Sequence, residues 1–166
     1  MLHSGDCLRA VIKIHKHESV ENKLKVVSSQ KYFGGNLKTI KHWSKSNNCE
    51  MTFSIYLPTE TVKEQRGEAY PILYCLGGLT SNHENFPIKS HFGIWAAKHK
   101  IACVFPDTSP RGDFGIEGLK EDWGFGDSAG YYVDATQAPY NKHFNMYSYM
   151  TEELPTLLGQ HFHVDT

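Results

Sequence analysis

The middle of the chain reads YPILYCLGGLT, from Tyr70 to Thr80. Its first part, Tyr70–Leu76, is apolar and rich in strand-forming residues, and no polar residue alternates with them. This pattern predicts a strand that is buried on both faces. Gly77 and Gly78 follow directly, and glycine allows a sharp turn and a close approach of the backbone to another group. Because ligands of open α/β sheets bind at the carboxyl ends of the strands, this turn is a candidate site.

The segments on either side of this strand predict the fold class α/β. Upstream, strand candidates at 34–43 and 51–57 are separated by a polar turn. The second alternates apolar and polar residues, which favours a half-buried strand in an antiparallel pair. Downstream, a helix in the second half of 83–100 leads to a second apolar strand at 101–105. Strand, helix and strand in this order predict a parallel βαβ unit with a right-handed crossover. The sheet-facing side of the helix is predicted to carry Phe92, Trp95 and Ala96.

The last predicted helix runs from 145 to 162. A proline within it, Pro155, removes a backbone hydrogen bond and is expected to kink it. No strand is expected after this helix, although a crossover helix normally leads into one. The long segment 108–144 has few regular signals, and loops of that length are usually functional or mobile. The apolar stripe of the helix is predicted to consist of Tyr147, Met150, Leu154, Leu157 and Leu158.

The composition excludes several classes of protein. The 166 residues include 17 Lys and Arg against 18 Asp and Glu, so no strong field attracts nucleic acid or an anionic membrane. No apolar stretch approaches the ~20 residues of a spanning helix. Residues 1–27 lack periodicity and are interpreted as a poorly defined extension before one partial domain, 28–166. The cysteines show no paired spacing, which indicates a reducing, cytoplasmic setting; they are Cys7, Cys49, Cys75 and Cys103.

The pentapeptide Gly126–Gly130, GDSAG, has the G-x-S-x-G pattern of a serine nucleophile. That motif functions on a tight turn from a buried strand into a helix. Here the preceding residues are charged and broken by glycine, and the following residues favour extended structure. Ser128 is therefore kept only as a weak alternative nucleophile.

Five blocks of sequence, correctly ordered along the chain, resemble one family. The chain is similar to S-formylglutathione hydrolase, also called esterase D, from about residue 30 to residue 166. The fold alone does not require these particular residues, so the blocks are specific to the family. They are Leu76–Thr80, Asn85–Phe86, Pro106–Gly112, Gly130–Thr136 and Met146–Pro155.

The resemblance implies a serine hydrolase of the α/β-hydrolase fold, of which this chain would be the amino-terminal half, ending before the nucleophile-elbow strand. The family converts S-formylglutathione to glutathione and formate in formaldehyde detoxification, and it accepts other small esters. Its members are usually cytosolic, often dimeric, and need no metal or cofactor. The nucleophilic serine lies in a G-H-S-M-G-G elbow, and the Asp and His of the triad follow it. None of the three occurs in this sequence, so the chain alone is expected to be inactive.

By the same resemblance, the turn at Gly77 and Gly78 presents the backbone N–H of Leu79 as one donor of an oxyanion hole. The other donor would follow the missing serine. Losing one such donor typically costs ~10²–10³ in turnover. The family commonly has a cysteine two residues after this leucine; here Ser81 stands there, so inhibition by thiol reagents through that position is not expected.

Three further side chains carry two interpretations each. Trp123 and Tyr131 would line the acyl pocket by the family's arrangement, or they are, together with Tyr132, core aromatic residues that cover the edge of the sheet. Arg111 would contact a carboxylate of glutathione, or it braces its own loop, and bracing is favoured.

Two other functions stay open. In one, the chain is a truncated, non-catalytic isoform that binds the full-length enzyme. In the other, it is a small esterase that uses Ser128. The second alternative needs a base, for which His143, His161 and His163 are available. Without a strand on its other side, the apolar strand at 72–76 would leave an unpaired edge, so the isolated chain is expected to be unstable or to self-associate.

Overall fold

One six-stranded sheet organises the described part of the chain. The computed structural model describes residues 23–58, 67–121 and 123–166. The strands are β1 (Lys25–Tyr32), β2 (Gly35–Ser44), β3 (Cys49–Leu57), β4 (Tyr70–Tyr74), β5 (Ala102–Pro106) and β6 (Val164–Asp165). Their order in the sheet is β1-β2-β3-β5-β4-β6. The pairs β1–β2, β2–β3 and β3–β5 are antiparallel, whereas β4 pairs parallel with both β5 and β6.

Helices cover both faces of this sheet. They are α1 (Asn85–Lys89), α2 (Phe92–His99), α3 (Met146–Ser148) and α4 (Leu154–His161), with a π-helical turn at Tyr149–Glu153 and a 3₁₀ turn at Tyr140–Lys142. α2 packs on the face that carries Tyr56 and Phe105. α3, the π turn and α4 pack on the opposite face, which carries Phe53 and Val104. No helix among the described residues is long and apolar enough to cross a bilayer.

The predicted antiparallel pair is confirmed as β2 and β3, with Asn36 opposite Leu57 and Ser44 opposite Cys49. The prediction that β3 is only half-buried is wrong. Tyr56, on the face expected to be solvated, is completely buried and packs edge-on against Phe92 of α2. The alternation in the sequence reflects two chemically different cores, one for each face of the strand.

The βαβ unit is also confirmed, because β4 and β5 are parallel with Ile72 beside Ala102. The predicted face of α2 is only partly correct: Ala96 is buried, but Trp95 is 60% exposed. The helix instead turns Gly93 toward the sheet, where a Cβ atom would lie 2.3 Å from the Tyr32 ring. Absence of a side chain at 93 lets the helix approach the end of β1 and rotates Trp95 outward.

The last helix differs from its prediction in register. Tyr147 is 59% exposed, and Tyr149 occupies the core in its place. The π turn causes this shift, since the Leu154 amide bonds to the carbonyl of Tyr149, five residues back. One extra residue in that turn rotates the apolar face between Tyr149 and Leu154. Pro155 lies in the first turn of α4, where a missing N–H costs little.

The expectation that no strand follows this helix is wrong. Val164 and Asp165 form β6 and pair with Tyr70 and Pro71, on the side of β4 away from β5. β1 was not predicted either. It begins at Lys25, so the boundary placed between 27 and 28 falls inside it, and most of the extension 1–27 lies outside the described residues.

Candidate active site

The turn after β4 is held by hydrogen bonds on both sides. The Tyr132 hydroxyl donates to the Gly77 carbonyl at 2.9 Å, and the Thr80 amide donates to the Ser128 carbonyl at 3.1 Å. The Ser81 amide closes the turn onto the Gly78 carbonyl at 3.0 Å. Burial, followed by the negative charge of a nearby carboxylate, raises the pKa of Tyr132 to about 12, so its hydroxyl stays a donor at neutral pH.

The two glycines of the turn have different roles. A Cβ atom on Gly77 would lie 3.0 Å from the Ser81 Cβ and 3.1 Å from a methyl carbon of Thr108, so packing favours glycine there. A Cβ atom on Gly78 would meet nothing within 4 Å, so this residue faces open space. The close backbone approach inferred from the sequence therefore belongs to Gly77, and Gly78 lies on the accessible side.

The Leu79 amide lies in this turn between the two fixed ends. Among the described residues, none accepts a hydrogen bond from it, and the side chain of Leu79 is 40% exposed. An N–H that is held in place and left unpaired can stabilise a negatively charged oxygen that approaches it. The geometry of the turn is therefore compatible with the oxyanion role that the resemblance implies for Leu79.

Backbone strain concentrates around the same turn. Four of the seven non-glycine residues with positive φ in the described ranges lie here. A β-branched residue rarely adopts this conformation, yet Thr80 has φ of +65°. Such strain persists only where surrounding contacts enforce it, and it is typical of functional sites. The four residues are Thr80, Ser128, Tyr131 and Tyr132.

An ion pair between the buried Asp107 and the partly exposed Arg111 lies beside the turn, at the end of β5. The Arg111 Nε donates to both carboxylate oxygens of Asp107 at 2.9 Å. The Nδ1 of the His83 ring lies 3.6 Å from the same carboxylate. Burial alone would raise the pKa of Asp107, but the His83 ring and the Arg111 guanidinium outweigh it and hold the pKa below its ordinary value. Asp107 is therefore an anion at neutral pH.

Arg111 also reaches the two loops beside the turn. Its Nη2 donates to the Ser81 carbonyl at 2.9 Å, and its Nη1 donates to the Ser128 hydroxyl at 2.5 Å. Of the two interpretations from the sequence, the structure favours bracing over contact with a substrate carboxylate. The bracing extends beyond its own loop to the turn after β4 and to the segment around Ser128.

A narrow cleft opens at the turn. It has a volume of about 180 Å³, and its lining includes Gly77, Gly78, Leu79, Ser128 and Tyr131. Tyr131 is 57% exposed, and its hydroxyl donates to the Gly124 carbonyl at 2.8 Å. Leu79 and Tyr131, two of the predicted site residues, therefore share one cleft.

Trp123 lies in the neighbouring cavity rather than in this cleft. That cavity has a volume of about 250 Å³, and Thr80 and Ser128 also line it. The Trp123 side chain is 72% exposed, so it does not cover a core. The two cavities meet at Ser128, which lines both.

Ser128 does not lie in the structural context of a nucleophile elbow. The segment Gly126–Ala129 forms an isolated bridge within a series of turns, with no strand leading in and no helix leading out. Its hydroxyl contacts Arg111. Two of the histidines named as possible bases bond elsewhere: His143 Nδ1 contacts the Asn47 carbonyl, and His163 Nε2 contacts the Gly67 carbonyl.

A larger cavity lies at the other end of β4. It has a volume of about 600 Å³, and Gly34, Tyr70 and Lys100 are among its lining residues. Within the described ranges, no cluster of His, Cys, Asp and Glu is arranged to hold a metal ion.

Sequence reasoning did not assign roles to Asp107 or to the hydroxyl of Tyr132. A signal for Asp107 was present, since a carboxylate directly after β5 lies at the same edge of the sheet as the turn after β4. The contact of Tyr132 with Gly77 joins residues 55 positions apart, and no local pattern announces such a pairing.

Comparison with known proteins finds similarity to esterases. Residues 44–166 match the esterase family, described as "Putative esterase". Over 142 residues the chain is 45% identical to S-formylglutathione hydrolase of Bos taurus and 44% identical to that of Rattus norvegicus. These matches cover 86% of this chain and 49% of each relative. The chain thus spans about half the length of the curated relatives it matches.

Solved structures agree with the sequence matches. An S-formylglutathione hydrolase from Agrobacterium tumefaciens superposes with a TM-score of 0.77 at 40% identity, covering 85% of this chain and 49% of that one. A ferulic acid esterase from Anaeromyces mucronatus has a TM-score of 0.53 at 20% identity, covering 82% of this chain and 46% of that one. At that identity the second likeness supports the fold alone.

Proposed function

The chain belongs to the esterase family, and from this membership we propose that it forms the oxyanion side of the active site of an S-formylglutathione hydrolase. The observation that carries the proposal is the unpaired Leu79 amide, held at the carboxyl end of β4 beside a cleft. In this proposal the amide receives the thioester oxygen as it becomes negatively charged during attack on the carbonyl carbon.

The cleft has room for a small acyl group. Ligand sites for drug-sized molecules usually have volumes of roughly 300–1,000 Å³, whereas this cleft has about 180 Å³. A formyl group places only a hydrogen beside the carbonyl carbon, so it fits in a space of this size. Tyr131 would line the acyl side, and Trp123 would line the neighbouring cavity that meets this cleft at Ser128.

The chain supplies only part of the reaction. A serine hydroxyl needs a histidine base within hydrogen-bond reach, and the family's serine, aspartate and histidine have no counterparts in these 166 residues. We therefore expect the chain alone to be inactive on S-formylglutathione. Activity requires the polypeptide that carries the triad, which would release glutathione and formate as in formaldehyde detoxification.

The setting of the reaction is part of the same proposal. Cys49, Cys75 and Cys103 are free, buried thiols, which fits a reducing, cytoplasmic environment. A homodimer is expected of the complete protein from its resemblance to the family.

The test compares this chain with a chimera in which it replaces the matching half of the bovine relative. The chimera is expected to hydrolyse S-formylglutathione and an aryl acetate, and the chain alone is expected to hydrolyse neither. An inactive but folded chimera would contradict the proposal. Hydrolysis by the chain alone that Ser128→Ala abolishes would favour the small-esterase alternative instead.

A further inference from the structure

Arg111 makes contacts that no substrate-binding role requires. Its guanidinium has five N–H donors, and three protein groups accept from it: the Asp107 carboxylate, the Ser81 carbonyl and the Ser128 hydroxyl. These groups belong to three different segments: the end of β5, the end of the oxyanion turn and the loop that lines the cleft. A side chain already engaged on three sides has little capacity left for a substrate carboxylate.

These contacts fix the residues that directly follow Leu79. On one side, Arg111 holds the Ser81 carbonyl, together with the Thr108 hydroxyl at 2.5 Å. On the other, it holds the hydroxyl of Ser128, the residue whose carbonyl accepts from the Thr80 amide. The position of the Thr80 peptide, and with it that of Leu79, therefore depends on the segment that Arg111 fixes.

The carboxylate beneath Arg111 makes this arrangement stable. Asp107 is buried, with its side chain 6% exposed, and its carboxylate engages Arg111 Nε through both oxygens. Hydrogen bonds of this charged kind are about twice as strong as neutral ones. The anchored Nε fixes the plane of the guanidinium, which directs Nη1 and Nη2 toward the two loops.

We propose that Arg111 is a positioning residue for the oxyanion turn, acting through Ser81 and Ser128 to hold the Leu79 amide where the thioester oxygen develops charge. The inference rests on the function proposed above. Lysine cannot replace arginine in this role, because a single ammonium group cannot span three acceptors in a fixed plane.

The first test measures amide hydrogen exchange in the purified chain. In Arg111→Ala and Arg111→Lys, exchange at Thr80 and Ser81 is expected to rise at least about tenfold, the ratio that corresponds to loss of one charge-assisted hydrogen bond. Exchange at Ile55, in the middle of β3, is expected to stay unchanged. A uniform rise at all three amides would show general destabilisation and overturn the proposal.

The matched control removes another ion pair that lies away from the cleft. Lys41 contacts Glu50 at 2.6 Å on exposed positions of β2 and β3, and Lys41→Ala is expected to leave exchange at Thr80 unchanged. If Arg111→Ala does not fold, Ser128→Ala tests the Nη1 contact alone and should raise exchange at Thr80. Unchanged exchange at Thr80 in that variant would contradict the proposal.

The second test measures kinetics in the chimera. Arg111→Lys is expected to lower kcat about tenfold with KM within about twofold, less than the ~10²–10³ loss for removing an oxyanion donor. A rise in KM with unchanged kcat would assign Arg111 to substrate binding and overturn the proposal. If the unsubstituted chimera is inactive, the proposed function fails, and with it the effect of Arg111 on turnover. The exchange ratios still decide whether Arg111 holds the turn.

Discussion

At the scale of single residues, the carboxylate of Glu153 joins the π turn to the hairpin between β2 and β3. Its oxygens accept from the Ser44 hydroxyl at 2.8 Å, from the Lys45 amide at 2.8 Å and from the Ser46 amide at 2.9 Å. Burial would raise the pKa of Glu153, but these hydrogen bonds outweigh it and lower the pKa below 4.5. The charged form is therefore the one that holds the hairpin.

Replacing this carboxylate should destabilise the fold. Glu153→Ala leaves two backbone amides and a hydroxyl without their acceptor, and we expect the free energy of unfolding to fall by about 2 kcal/mol. The measurement is urea unfolding at pH 7. The neighbouring Glu152 is exposed, so Glu152→Ala should change the free energy of unfolding by no more than about 0.5 kcal/mol. Equal effects of the two substitutions would contradict this assignment.

The same carboxylate predicts a pH dependence. Its pKa is lower in the folded chain than in the unfolded chain, so the unfolded chain binds a proton first as the pH falls. The contribution of Glu153 is complete at neutral pH, above its ordinary pKa of 4.5, and is lost as the pH falls through the lowered value. The difference in stability between the unsubstituted chain and Glu153→Ala should therefore shrink on acidification. A constant difference from pH 7 to pH 3 would contradict the account.

At the scale of elements, the strands and the helices differ in how well their sequences predict them. β4 and β5 are continuous apolar runs bounded by turn residues, and their parallel pairing follows from the helix between them. β1 has no such signal, because its residues are mostly exposed at the edge of the sheet and only pairing with β2 defines it. An edge strand of this kind cannot be predicted from its own residues, because only its pairing with the neighbouring strand defines it.

The predicted apolar face of the last helix has the wrong register for a related reason. The apolar face is predicted from a regular period of 3.6 residues. The π turn at Tyr149–Glu153 adds one residue to a turn and so shifts that face, which the period alone does not predict. The candidate site shows the same limit. The apolar run and the two glycines predict the turn before Leu79 from local sequence alone. The contacts of Arg111 with Ser81 and Ser128 span 30 and 17 residues, so only the folded chain shows them.

Pro155 provides a test of the helix geometry. It lies in the first turn of α4, directly after the π turn, so its missing N–H leaves little unsatisfied. Pro155→Ala should change the free energy of unfolding by less than about 1 kcal/mol, whereas relieving a proline in a regular helix interior would stabilise by about 3 kcal/mol. Thermal unfolding of the two chains measures the difference. A gain near the larger value would contradict the assignment of the π turn.

At the scale of the whole molecule, the outer edge of β4 is left largely unpaired among the described residues. Within the described ranges, β6 pairs with it only at Tyr70 and Pro71. Leu73, further along the strand, is 54% exposed. Unpaired apolar edges are templates for association with other chains.

We therefore expect the purified chain to self-associate through this edge. Leu73→Lys should reduce the association, because a charge on an edge strand opposes further pairing. Sedimentation velocity over a range of concentrations measures the effect. Ile88→Lys places the same charge on α1, at a residue that is 77% exposed, and should leave the association unchanged. A monodisperse monomer at all concentrations would contradict this prediction.

The proposed role of the Leu79 amide as an oxyanion donor can be tested by one ratio of rates. In the chimera with the bovine relative, Leu79→Pro removes the N–H, whereas Leu79→Ala shortens the side chain and keeps the N–H. We predict that kcat for S-formylglutathione is ~10²–10³ lower in the proline variant than in the alanine variant. Equal kcat values in two folded variants would contradict the claim.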